Sequence, residues 1–189
     1  MASEPVEQVT QILAAVQDGD ARATERLLPL LYDELRALAR RKMANEPSDH
    51  TLQATALVHE AYLRLVQDKD ARWESRGHFF AAAAEAMRRI LVERARRYAA
   101  AKRGGGGKRV QLDELQLTFD MPSTTVLALD EVLTELERID PQMGKVVKLR
   151  FFSGLTVEET AAACGLSTRT VDREWAYART WLYKRLAET

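Results

Sequence analysis

Residues 154–186, GLTVEETAAACGLSTRTVDREWAYARTWLYKRL, read as a helix, a tight turn and a second, longer helix. Thr156 is placed to cap the first helix, and Glu159 three residues on completes a capping box. Three small residues, Ala161, Ala162 and Ala163, lead through Cys164 to the turn at Gly165-Leu166, where glycine supplies a permissive backbone and Ser167 caps the next helix. Val171, Trp175, Ala178 and Leu182 then recur at helical spacing and predict one buried face. Ser167, Thr168, Arg169, Thr170 and Arg173 lie around the start of that helix, with the last four directed away from the apolar stripe. This is the layout in which a second helix offers its N-terminal residues to the DNA major groove. Trp175 belongs to the apolar stripe and reads as a core anchor. Cys164 reads as a small buried apolar residue. Asp172 and Glu174 are unusual beside phosphate, and read as partners for Arg169 or Arg173, or as acceptors from cytosine.

Outward from this motif the periodicity stays helical, and no alternating strand pattern is present, so the expected class is all-α. Asp140-Pro141 is a helix start, a cap followed by proline at the first position. Val146, Val147, Leu149 and Phe152 carry that helix to Ser153-Gly154. Before it, Val126, Leu129, Val132, Leu133 and Leu136 share a face. Gly104-Gly105-Gly106-Gly107 cannot hold a helix and marks a flexible linker. The expected organisation is therefore a helical domain over residues 1–102, a linker over 103–125 and a second helical domain over 126–189. In the first domain, Val6, Val9, Leu13 and Val16 make a short helix. Leu27, Leu31, Leu35 and Leu38 make another, capped by Asp20 and with Pro29 inside it as a kink or interruption. Asn45 to Ser48 and Asp68 to Gly77 read as loops. Between them lies a helix through Leu57, Ala61 and Leu65, and a long one follows from Phe79 to about Ala101.

A net charge of zero conceals strong segregation. Residues 88–109 carry nine Lys/Arg against Glu93 alone, whereas residues 110–140 carry eight Asp/Glu against Arg138 alone. Arg88, Arg89, Arg94, Arg96 and Arg97, followed by Lys102 and Arg103, are dense enough to neutralise several phosphates or stack on unpaired bases, though a charge run also serves as a plain solvated face. Met87, Ile90 and Leu91 would fix this helix to its own domain. Phe79 and Phe80 precede it. Either could stack on a base, and adjacent phenylalanines usually include a core residue. The acidic segment could shield the basic helix in the free protein, or be ordinary linker surface. In Leu57–Gln67 the apolar residues are spread around the helix, which suits a helix packed on its own domain that offers a face to a partner, and suits core packing equally.

The composition excludes several classes. An apolar fraction of 46% and a charged fraction of 30% suit a folded, soluble chain. There is no run of about eighteen apolar residues for a membrane span, and MASEPVEQVTQ lacks the apolar core of a signal peptide. One cysteine rules out an internal disulfide, and His50, His59 and His78 have no ligand spacing, so no metal or other cofactor is expected. The default compartment is the cytoplasm. No nucleophile–base constellation supports an enzyme such as a small hydrolase. A stand-alone helix-turn-helix regulator remains as a second reading, opposed by the glycine linker and the lack of an obvious dimer helix.

Together these features resemble the extracytoplasmic-function group of bacterial RNA polymerase sigma factors, over nearly the whole chain. Asp18-Gly19-Asp20-Ala21 and the helix with Leu31-Tyr32-Asp33-Glu34-Leu35-Arg36 are similar to the first part of the sigma second region. Leu57–Gln67 is similar to the helix with which that family grips the β′ clamp of core polymerase, which implies contact roles for Leu57, Val58, Glu60, Ala61, Arg64 and Leu65. His78–Arg97 resembles the segment that melts and reads the minus-ten element, implying roles for Phe79, Arg88, Arg89, Arg94, Arg96 and Arg97. Val126–Leu186 resembles the fourth region, which reads the minus-thirty-five element and meets the β flap. The resemblance implies promoter DNA and core polymerase as partners, with an anti-sigma factor or regulatory kinase as possible controllers. Ala82-Ala83 stand where the family often has tryptophan, Arg89 where it often has asparagine, and Asp172 and Glu174 where it often has basic residues. A promoter sequence therefore does not transfer from other members.

Overall fold

The computed structural model describes residues 12, 15, 21–42, 48–67, 75–101 and 122–188. Among the described residues there are seven helices and no strands. They are α1 (Ala21–Lys42), α2 (Ser48–Gln67), α3 (Arg76–Ala101), α4 (Ser123–Ile139), α5 (Pro141–Phe151), α6 (Val157–Cys164) and α7 (Thr168–Glu188). The glycine run and most of the expected linker lie outside the described residues. So do residues 43–47 and 68–74, which take in most of the two stretches read as loops, and most of the first expected helix.

Helix starts follow local chemistry. The Asp140 carboxylate accepts from the Met143 N–H at 2.9 Å, and Pro141 occupies the first position of α5. Ser75 caps α3 by accepting from the His78 N–H at 3.0 Å. Four features differ from those read in the sequence. α1 continues through Pro29, α2 begins already at Ser48, α3 begins at Arg76, inside the stretch read as a loop, and α4 begins at Ser123, inside the stretch read as linker. Ser123 directly follows Pro122, whose extended backbone (φ −52°, ψ 142°) turns the chain into the helix.

The core runs through α3. On one side α3 packs against α2, which in turn packs on α1. On its other side it packs against α4, α5 and α6. Phe79, Phe80, Ala83, Ala84, Met87 and Ile90 of α3 are buried in one cluster, with Leu31 and Leu35 of α1, Leu57 and Ala61 of α2, and Leu129, Leu133 and Leu136 of α4. A helix enclosed on two sides buries both members of an adjacent pair, so Phe79 and Phe80, with rings edge-on at 5.6 Å, are each fully inaccessible. The two halves of the chain thus share one apolar core. At the N-terminus of α3, Gly77 lies so close to α6 that a Cβ there would stand 2.6 Å from the Ala163 carbonyl oxygen. That approach admits only glycine without a shift of backbone.

Candidate nucleic-acid and partner interfaces

The turn between α6 and α7 is specified by its own residues. The Thr156 hydroxyl accepts from the Glu159 N–H at 3.2 Å, and the Glu159 carboxylate accepts from the Thr156 N–H at 2.8 Å, the reciprocal pair of a capping box. Gly165 ends α6 in the left-handed region (φ 67°, ψ 32°), and the Leu166 N–H returns to the Ala161 carbonyl at 2.9 Å. Ser167 caps α7 by accepting from the Thr170 N–H at 3.1 Å. Underneath, Val146 of α5, Ala161 of α6 and Val171 of α7 form a small buried cluster that locks the three helices. Val171, Ala178 and Leu182 are buried and Trp175 is half-buried.

That packing decides what α7 presents. Thr168, Arg169, Asp172 and Arg173 are exposed near its N-terminus, with Ser167 exposed beside them and Thr170 half-buried. Helix N-termini favour anions, since their first N–H groups are unsatisfied and the peptide dipoles add. Glu174 is engaged laterally, accepting from the Gln142 side chain at 2.6 Å, so its carboxylate is drawn from the exposed face toward α5. Behind the face, Arg150 lies over the Trp175 ring at 5.5 Å and donates to the Leu155 carbonyl. Burial lowers its pKa, against the opposing fields of Asp172, Glu158 and Glu159. Cys164 is half-buried, and burial pushes its thiol pKa up, with Lys145 pulling it down and Glu174 raising it.

The arginines of the basic run of α3, Arg88 to Arg97, fall into three settings. Arg88 is 7% exposed. Its Nε donates to Asp130 Oδ1 at 2.7 Å, its Nη1 to Glu137 Oε2 at 3.0 Å, and its Nη2 to Thr134 Oγ1 at 2.6 Å and to the Asp130 carbonyl at 3.2 Å. All of these partners belong to α4. Glu85 on α3 and Lys148 on α5 complete the cluster, with Lys148 2.6 Å from Glu137 and 3.4 Å from Glu85. Burial works to lower the Arg88 pKa, and its bonds to Asp130 and Glu137 outweigh that and raise it. Burial likewise works to raise the Glu85 pKa, and Lys148, Arg89 and Arg88 outweigh it and hold the carboxyl below its ordinary value.

Arg89 and Arg94 form the second setting. Arg89 projects into solvent while bonding Glu85 at 3.0 Å, and Arg94 donates to Glu60 of α2 at 2.6 Å. Arg96 and Arg97 form the third and are exposed, Arg97 resting on the Glu93 carbonyl at 3.4 Å. Phe79, named in the sequence as a candidate base contact, is a core residue in this arrangement.

On α2 the sequence reading and the surface separate. Leu57, Val58, Ala61 and Leu65 are buried against α1 and α3. The exposed stripe is Ala56, His59, Leu63 and Gln67, at spacings of three and four, with Glu60 and Arg64 half-buried at its edge. Glu60 accepts from Arg64 at 3.1 Å as well as from Arg94, and Arg64 also bonds Glu93 at 2.7 Å. The structure therefore joins residues assigned from sequence to two different partners, Glu60 and Arg64 on one hand and Arg94 on the other. The stripe was hidden in the sequence because Val58 and Ala61 make the helix look apolar all round. Subtracting the residues that face α1 and α3 is what reveals it.

Among the described residues there is no cluster of His, Cys, Asp or Glu that could hold a metal ion, and no helix long and apolar enough to cross a membrane. A family model described as ECF sigma factor matches residues 6–188 of the chain. No curated protein matches it.

Proposed function

Because the chain belongs to the ECF sigma factor family, with a role in transcription initiation by RNA polymerase, we propose that it binds core polymerase through α2 and reads a two-part promoter through α7 and α3. The observation that carries this reading is the exposed N-terminal face of α7, capped by Ser167 and held outward by the Val146–Ala161–Val171 cluster. Thr168, Arg169, Thr170 and Arg173 enter the major groove of the upstream element, where a bidentate arginine–guanine contact contributes about 1–3 kcal/mol of discrimination. Arg89, Arg94, Arg96 and Arg97 take phosphates of the opened downstream element. Phe79 supports that helix from within the core.

For polymerase, the α2 stripe of Ala56, His59, Leu63 and Gln67, edged by Glu60 and Arg64, is the docking face for the β′ clamp. Leu57, Val58, Ala61 and Leu65 hold the helix so that this face points outward. The C-terminal half meets the β flap. Residues 1–102 and 126–189 act as separate units on polymerase. An anti-sigma protein or a kinase acting on this chain belongs to the same reading, which places it in the cytoplasm with the polymerase. No cofactor or catalytic chemistry is involved. Opening the duplex has an energetic cost, and base capture with phosphate contacts offsets it.

The test is transcription by purified core polymerase across a library of random promoters, with and without the protein. Protein-dependent starts sharing a two-part motif are expected. Tight duplex binding by the protein alone, with no starts, would instead identify a stand-alone regulator. Arg173→Ala should weaken dependence on the upstream element, and Arg64→Glu should weaken polymerase binding with the fold intact.

A further inference from the structure

An acid is out of place on a helix face that meets DNA, yet Asp172 stands exposed within the first two turns of α7, three residues after Arg169 and one before Arg173. Glu174 is drawn aside by the Gln142 side chain at 2.6 Å, and Asp172 has no such tether. Among the described residues, Asp172, Arg169 and Arg173 make no ion pair and no side-chain hydrogen bond. Behind them, Arg150, whose pKa burial lowers, feels Asp172 as an opposing field while donating to the Leu155 carbonyl. Measured from buried Val171 at about 100° per residue, Asp172 lies roughly 100° round the helix, Arg169 about 160° and Arg173 about 200°. Arg169 and Asp172 are therefore neighbours at i, i+3, about 4.5 Å apart along the axis, while consecutive residues do not face each other. An acceptor and a forked donor stand side by side, each with its hydrogen-bonding capacity unused.

An ionised carboxylate only accepts hydrogen bonds. In the major groove the donors are cytosine N4 and adenine N6, while guanine and thymine offer acceptors there. Adenine sets its N7 acceptor beside N6, so a carboxylate on that amino group meets a second lone pair, whereas cytosine has no acceptor in this groove. The guanine paired with that cytosine presents O6 and N7, which arginine grips bidentately. One C·G base pair thus offers a donor for Asp172 beside two acceptors for Arg169.

We propose that Asp172 is a specificity-determining residue, which together with Arg169 reads a single C·G base pair of the upstream element in one orientation, Asp172 accepting from cytosine N4 and Arg169 donating to guanine O6 and N7. The proposal rests on the assignment of α7 to that element. Asp172 also works by exclusion. Opposite a guanine or thymine edge its charge meets only lone pairs, so the wrong base is rejected as well as the right one held.

The experiment uses the full chain with purified core polymerase on barcoded promoters whose upstream element is fully randomised, and reads base preference at each position by sequencing the barcodes in the transcripts. With the natural sequence, one position should prefer cytosine by about fivefold or more, the low end of what a wrong base pair costs. Asp172→Ala should flatten that position alone, Arg169→Ala the same position, and Arg173→Ala a different one. Asp172→Asn should move the preference to adenine, whose N6 and N7 an amide pairs bidentately. Glu158→Gln is the control, because it removes an exposed charge on α6 that also acts on Arg150, and its profile should match the natural protein's.

A uniform rise in initiation on all sequences in Asp172→Ala, with the cytosine preference kept, would overturn the proposal and reduce Asp172 to a charge that repels phosphate. The same flattening in Glu158→Gln would overturn it too, since the effect would then come through the shared field on Arg150. Upstream preferences with no cytosine position would overturn it while leaving α7 as the reader. No upstream preference of any kind would overturn both it and the reading of α7 on which it rests. Asp172→Asn, close in shape to the natural residue, keeps the test open if circular dichroism shows that Asp172→Ala has lost its fold.

Discussion

The arginines of α7 and those of α3 look alike in the sequence and differ in the folded chain. Arg169 and Arg173 stand on a face whose orientation is set locally, by a cap, a turn and one buried valine beneath. Arg88 is enclosed by an element 42 residues further along, and Arg94 is tied to α2. One face stands open to solvent, and the other is partly engaged by the protein's own carboxylates. Charge density along a chain reports how many cations there are. Their availability depends on what the fold brings opposite them.

The strongest test of that contrast is at Phe79. As a fully buried residue it should lose about 3–5 kcal/mol on Phe79→Ala, read by denaturant unfolding. A base-stacking residue on the surface would instead leave stability intact and impair only strand opening. Next comes the pair Arg88→Ala and Arg173→Ala. Removing Arg88 strands the Asp130 carboxylate in a largely buried cluster, leaves Glu137 with Lys148 alone, and should destabilise by roughly 3 kcal/mol. Removing the exposed Arg173 should stay within about 0.5 kcal/mol. Equal stability losses would erase the distinction between the two surfaces.

A pH titration sharpens it further. The folded-state pKa of Glu85 is depressed below its ordinary 4.5, through Lys148, Arg89 and Arg88 acting against burial. Its contribution is therefore present above that ordinary value and lost as pH falls through the depressed one. Contact between the halves, followed by scattering, should weaken in that acid range. The smallest expected effect is local: Ser167→Ala removes the α7 cap at a cost of about 1 kcal/mol. That change should act on the C-terminal half alone, leaving the α3 cluster undisturbed.

What the sequence made legible was what obeys short-range rules. The Thr156–Glu159 box, the turn at Gly165, the Ser167 cap and the Asp140-Pro141 start are each written within four residues, and each is found in the structure. The all-helical class follows from the same periodicity. The opposed charge blocks hinted that the basic and acidic segments could meet. Nothing local chose Arg88, rather than Arg89, to be enclosed, since that choice depends on which side of α3 faces α4. The Phe79–Phe80 pair was undecidable for a related reason. Adjacent residues on a helix point about 100° apart, which normally exposes one of them, unless the helix is covered on two sides. On α2 the same coverage turned an apparently apolar helix into one with a narrow exposed stripe.

Gly165 has a further consequence for how this molecule tolerates change. A side chain there would meet nothing within 4 Å, so the position is spacious, while its φ of 67° excludes most residues on backbone grounds alone. Alanine would cost about 1 kcal/mol without touching a neighbour, and asparagine would be accepted more readily. A constraint that resides in one residue's own dihedral angles owes nothing to its surroundings. The bend between α6 and α7 is accordingly a portable part, one that would keep its shape if these two helices were grafted onto a different scaffold.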